Sequence, residues 1–221
     1  MSGAPLASSP ALETFRQKFF GPIDQYLAWH DGFDSFTDLE ALDRLSAAER
    51  VVAEQELIAG LQEPRGADSR AVIGLGHLRS RAALPVLHAL LPAAGSYVLP
   101  AIASIDAQAT DWARLDALLR SGLSQYELLD LLVGLRAAYT LAQLPPALPP
   151  TVLTLLTHPE YLVRYHALAT LRVLYQLREA EDSPLRDDHI FSLICSDKST
   201  RQHREAQRRL QEQIRARGYA I

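Results

Sequence analysis

The chain has 221 residues, 48% of them hydrophobic and 22% charged, with a formal net charge of −4. That size and composition supply an ample core and exclude a disordered chain. The charge excludes a global basic field for nucleic acid, and the single cysteine, Cys195, excludes an internal disulfide and a cysteine-rich zinc site, which suits a reducing cytoplasm.

Residues 1–10 are rich in Ser, Ala, Gly and Pro without periodicity and read as a disordered tail. They lack the basic and apolar regions of a signal peptide. Residues 11–45 are dense in aromatics: Phe15, Phe19, Phe20, Tyr26, Trp29, Phe33 and Phe36. Helices are expected over 11–20 and 22–29, with Pro22 at the first helical position of the second. The segment reads as an N-terminal cap, with its aromatics either in the core or at an interface.

Ser46 and Glu49 form a capping box that opens a helix to Leu61. Pro64 and Gly66 end it, and Asp68 caps the next helix, through Leu78. Gly74 and Gly76 are packing glycines in that helix, because no strand precedes them and the dinucleotide fingerprint fails at Arg79. Helices over 80–91 and 96–105 follow, separated by Pro92 and Gly95. Thr110 is expected to cap a helix to Arg120, and Ser124 with Glu127 a longer one to Ala142 with the stripe Leu128, Leu132, Leu135 and Tyr139. Pro145, Pro146, Pro149 and Pro150 read as a stiff linker. Further helices are expected over 151–157, 159–178, 185–196 and 199–217, with a polar loop at 179–184. The last has a narrow stripe, Ala206, Leu210 and Ile214, and is otherwise charged, as a C-terminal cap should be. Apolar runs are interrupted by Arg, Gly or Pro, so no membrane span is expected.

The second helix of each pair begins near residue 68, 96, 124, 159 and 199. A drifting period of this size predicts an all-α solenoid of about five helical hairpins over 46–217. Asp68, Arg70 and Ala71 followed by Gly74, Gly76 and Leu78, and then Ala83, Leu84 and Pro85, resemble HEAT-like repeats of the short bacterial kind. His158, Pro159, Val163, Arg164, Ala167 and Leu171 look like the same second helix, with His158 in place of the usual Asp. Asp197, Arg201, Ala206 and Leu210 give a third match. The resemblance implies a fold and leaves function open.

No metalloprotease, phosphate-loop or serine-hydrolase motif is present. Asp187, Asp188 and His189 read as solvated loop residues, and Cys195, in the apolar run 191–195, as a core cysteine without a base. No cofactor or metal is expected. Trp112 and Asp116, four apart on one helical face, with Arg164 farther on, are similar to HEAT-like alkylpurine DNA glycosylases, whose Trp, Asp and Arg flank a flipped nucleotide. That resemblance implies an enzymatic alternative. Residues 64–150 carry seven basic residues against six acids, a weak match to phosphate binding.

The main expectation is a non-catalytic, cytoplasmic protein-binding module: a bacterial HEAT-like adaptor or inhibitor, such as an immunity protein that neutralises a toxin. Residues 24–63 hold ten acids against Arg44 and Arg50, a net of −8, so the expected partner is a basic protein. Asp34, Asp38, Glu40 and Asp43 are the expected steering acids. Tyr97, Tyr126, Glu127, Asp130, Glu160, Tyr161, Arg164, Tyr165 and Arg172 are the expected contacts on the second helices, because Tyr and Arg dominate binding hot spots.

Overall fold

The computed structural model describes residues 9–63, 68–177, 189–195 and 199–221, and these are helical, with no strand among them. The expected tail at 1–8, the turn at 64–67, the loop at 179–184, the start of the helix at 185 and the residues Asp187, Asp188 and Asp197 lie outside them. The chain divides into two compact units, one formed by Met1–Leu90 with Ala101–Ala109, the other by Leu91–Pro100 with Thr110–Ile221.

The first unit opens with α1 (Pro10–Phe20), so the expected tail ends at its cap, Ser9. Leu12, Phe15 and Phe19 point inward at helical spacing and are buried. α2 (Gln25–Asp31) starts three residues later than expected, because Asp24 caps it and Pro22 stays outside. After a short 3₁₀ turn (Phe33–Phe36) come α3 (Glu40–Asp43) and α4 (Ala47–Leu61). α4 has the expected reciprocal capping box, with Ser46 and Glu49 each satisfying the other's backbone N–H. α5 (Ser69–His77) is capped by Asp68, whose carboxylate accepts from the Arg70 N–H. Gly74 is a required small residue, since an added Cβ would stand 2.7 Å from the Phe19 ring. The core therefore closes α1 onto α4 and α5 through Phe19, Leu57 and Leu75. Arg70, 3% exposed, locks the same junction: its guanidinium forks onto Asp68 and donates to the Lys18 and Gly21 carbonyls.

α6 (Leu84–Asp106) consists of two helical stretches joined at a kink, matching the two helices expected over 80–91 and 96–105. The break falls at Ala94 (φ −150°, ψ 36°), between Pro92 and Gly95, and Pro92 removes one backbone donor there. Residues 82–105 contain no Asp, Glu, Lys or Arg. By length and composition alone the helical stretch Arg81–Ala109 is enough to cross a membrane, a test that a buried core helix also passes. Leu87, Leu91, Val98, Leu99 and Ile102 along it are buried within the fold.

In the second unit, α7 (Trp112–Arg120) is capped by Asp111 rather than Thr110. Thr110 is buried, and its hydroxyl meets the Tyr139 hydroxyl at 2.5 Å. α8 (Gln125–Ala138) has the expected Ser124–Glu127 capping box and buried stripe, but ends before Tyr139, whose backbone is extended. Gly95 and Gly134 meet backbone to backbone, Gly134 lying against the Gly95 carbonyl, so α6 and α8 touch without side chains between them. Pro149 and Pro150 are not linker: they sit in the first turn of α9 (Leu148–Thr154), where missing donors cost nothing. α10 (Tyr161–Leu174) packs against α8 and α9. α11 (His189–Ile194) and α12 (Thr200–Ala216) pack together, with Ser199 as the cap of α12 and Ala206, Leu210 and Ile214 fully buried. Cys195 is exposed just after α11, which corrects its reading as a core residue.

Candidate protein-binding surface

The sequence assigned four acids and a set of Tyr and Arg residues to binding. Three of the four acids are already committed within the first unit. Asp38 pairs with Lys18 at 3.4 Å, Glu40 with Arg44 at 2.8 Å, and Asp43 with His77 at 2.8 Å. The His77 hydrogen bond holds the Asp43 carboxyl below its usual range. Only Asp34 is exposed without an ion pair.

The expected contacts on the second helices fare unevenly. Arg164 is completely buried and Arg172 nearly so, which corrects their assignment as surface contacts. Arg164 donates to the Ile194, His158 and Pro159 carbonyls, a structural task. Its side chain is not presented at the surface, where flanking a flipped nucleotide would require it. Asp116 is bound to Arg120 and to the Thr151 hydroxyl, and Trp112 packs edge-on against Tyr139 at 4.8 Å. The Trp112, Asp116 and Arg164 constellation is thus dispersed into packing and ion pairs. Glu127 is spent in its capping box. Asp130 is half-buried, and burial raises its pKa against a hydrogen bond from Ser96. Tyr97 is half-buried, and Glu160 is exposed at the start of α10. Tyr161 and Tyr165 do come together, with ring centroids 6.1 Å apart. Tyr126 stands alone in being 63% exposed.

The largest exposed aromatics lie elsewhere, on α2. The Asp24 carboxylate accepts from the Leu27 N–H and starts the helix. Gly32 ends it at φ 88°, a left-handed conformation that disfavours any side chain. Within these limits Ala28 is the only buried residue. Trp29 is 75% exposed, Tyr26 70% and Leu27 43%. The Tyr26 ring stacks on His30 at 6.3 Å, which fixes one side of the surface. Burying one large apolar side chain contributes about 2–3 kcal/mol, so this face leaves considerable stabilisation unused.

Carboxylates surround the aromatics. Asp24, Asp31 and Asp34 have no Lys or Arg partner among the described residues, and Asp31 meets only the His30 imidazole at 2.8 Å. The chain on either side of α2 lines a cleft of about 500 Å³, with Pro22, Ile23 and Phe36 beside Lys18 and Asp38. Exposed rings among uncompensated carboxylates favour the guanidinium and ammonium groups of a partner, which gain both cation–π and ionic contacts.

No known family model, curated protein or solved structure matches the chain.

Tyr26, Trp29, Asp24 and Asp31 were not singled out as binding residues by the sequence. Their signal is weak because Tyr26, Trp29 and His30 have the i, i+3, i+4 spacing of an ordinary core stripe. Among the described residues, no group of three or more His, Cys, Asp or Glu side chains is placed to hold a metal ion.

Proposed function

We propose that this chain is a non-catalytic binding module that captures a basic protein through α2 and its flanking acids. The observation that carries this reading is Trp29, 75% exposed beside Tyr26 on a helix with one buried residue, amid Asp24, Asp31 and Asp34. The acids steer the encounter, and the aromatics supply the buried contact that holds the complex. Lys or Arg side chains of the partner lie over the rings, and its apolar residues enter the cleft beside Ile23 and Phe36.

The scaffold in this proposal is a HEAT-like α-solenoid with an aromatic N-terminal cap and a charged C-terminal helix. Two features support it. Helix starts at Ser69, Gln125, Tyr161 and Thr200 follow the expected repeat spacing. Arg70 and Arg164, near the starts of α5 and α10, both turn inward onto backbone carbonyls of another helix, as a repeated element would. A small bacterial solenoid with an acidic face suits a cytoplasmic adaptor or inhibitor, including an immunity protein that covers the positive active site of a toxin.

The test is a side-by-side affinity capture from the native host, using wild type, a Tyr26→Ala/Trp29→Ala variant and an Asp24→Lys/Asp31→Lys/Asp34→Lys variant. The expected result is a stoichiometric basic protein on wild type that both variants lose. Retention of that protein by both variants, or no stoichiometric partner on wild type, rejects the proposal.

A further inference from the structure

Two buried arginines show how this chain treats a guanidinium brought into its interior. Arg70 forks onto Asp68 and donates to two carbonyls. Arg164 donates to three carbonyls. Arg136, half-buried in α8 where it packs against α10, has neither kind of partner. Its Nη1 donates to His166 Nδ1 at 3.1 Å and, at 3.5 Å, to the Thr170 hydroxyl oxygen. The Thr170 hydroxyl gives its own proton to the Leu132 carbonyl, so it faces Arg136 as an acceptor only. Among the described residues, Nε and Nη2 make no hydrogen bond and no carboxylate reaches the group. A guanidinium has five N–H donors, and those of Nε and Nη2 are not sealed in the core, so a ligand can reach them.

The surroundings suit a negative ligand. The ionisable groups facing Arg136 are His166 and Tyr165 of α10. His166 accepts at Nδ1 and is held neutral, with its pKa lowered to about 4 by burial and by the Arg136 charge. Arg136 then carries the positive charge of this pair. The Tyr165 ring stands edge-on to His166 at 4.9 Å and to Phe191 at 6.2 Å, which forms an aromatic wall beside it.

We propose that Arg136 is the seat of an oxyanion, a carboxylate or phosphate group gripped by its Nε and Nη2 on the seam between α8 and α10. A guanidinium fork presents two parallel N–H bonds that match two oxygens of such a group, which a lysine ammonium does not. The site lies on helices of the second unit, and its ligand has the opposite charge to the partner proposed for α2. The two proposals stand or fall separately.

The experiment follows the imidazole NMR signals of His166 in the full chain near neutral pH. Sodium phosphate and sodium acetate are added in separate arms, with ionic strength held constant by sodium chloride. The expected result is a saturable shift of the His166 signals in at least one arm, because the bound anion cancels the Arg136 charge beside the ring. The arm with the tighter constant names the group. Arg136→Gln abolishes the response, and Arg136→Lys, which keeps the charge and loses the fork, weakens it about tenfold. Circular dichroism confirms that both variants fold, and Arg136→Lys carries the test alone if Arg136→Gln does not. No shift beyond that of chloride, or a response unchanged in both variants, overturns the proposal.

Discussion

The guanidinium of Arg164 and the carbonyl of Ile194 meet at 2.9 Å across thirty residues of sequence. This contact ties the start of α10 to the end of α11, and Arg164 is fully buried while making it. Truncation to Arg164→Ala leaves three carbonyls without this donor and a cavity beside them. The expected loss is about 3–5 kcal/mol in urea unfolding, with only partial recovery in Arg164→Lys, which lacks the fork. Unchanged stability would return Arg164 to the pool of functional residues. The same burial predicts that the protein releases no base from alkylated duplex DNA, a direct assay of the glycosylase alternative.

Thr110 and Tyr139 form a buried hydroxyl pair at 2.5 Å, and burial raises the Tyr139 pKa. Tyr139→Phe should cost about 1–2 kcal/mol in thermal or urea unfolding, because it takes the phenolic partner from a buried threonine. Adding Thr110→Val to that variant should cost less than the Thr110→Val change costs in wild type, which a double-mutant cycle reads directly.

The sequence conveyed local features well. Ser46, Ser124 and Asp68 are caps, as expected, because capping is decided within four residues. Thr110 failed by one position for a non-local reason. Asp111 caps as well as a threonine does, and Tyr139, twenty-nine residues away, claims the Thr110 hydroxyl. Pro92 and Gly95 read as a stop, and the helix does break between them at Ala94; what the sequence did not show is the close approach of Gly95 to α8. The candidate site was the least accessible part. Acidity around residues 24–63 was apparent, but the Asp43 to His77 pairing spans thirty-four residues and silences one of the expected acids. Trp29 and Tyr26 follow core spacing, and only their exposure among the described residues shows that they are not core.

Acid should loosen the last helix through Glu205. Arg208 and Arg209 both donate to its carboxylate, which lowers its pKa from 4.5 to about 2. A carboxyl whose pKa is depressed on folding stabilises the fold above its unfolded value. That contribution is complete above about pH 4.5 and disappears as the pH falls through about 2. Wild type should therefore melt higher than Glu205→Gln at neutral pH, and the two curves should converge on acidification. The difference should be small, because the pair is solvent-exposed and screened by salt. A gap that persists at the acid end would assign the effect to something other than this charge.

The central claim is that the exposed face of α2 is where a basic protein binds. A photoreactive amino acid placed at position 29 in the native host tests it most directly, with position 126 as the comparison, because Tyr126 is the other strongly exposed aromatic in a long helix. On illumination, the account predicts one dominant crosslink from position 29 to a protein of basic isoelectric point, lost when Asp24, Asp31 and Asp34 are reversed to Lys. A crosslink from position 126 with none from position 29, or a crosslinked partner that is acidic, would contradict it.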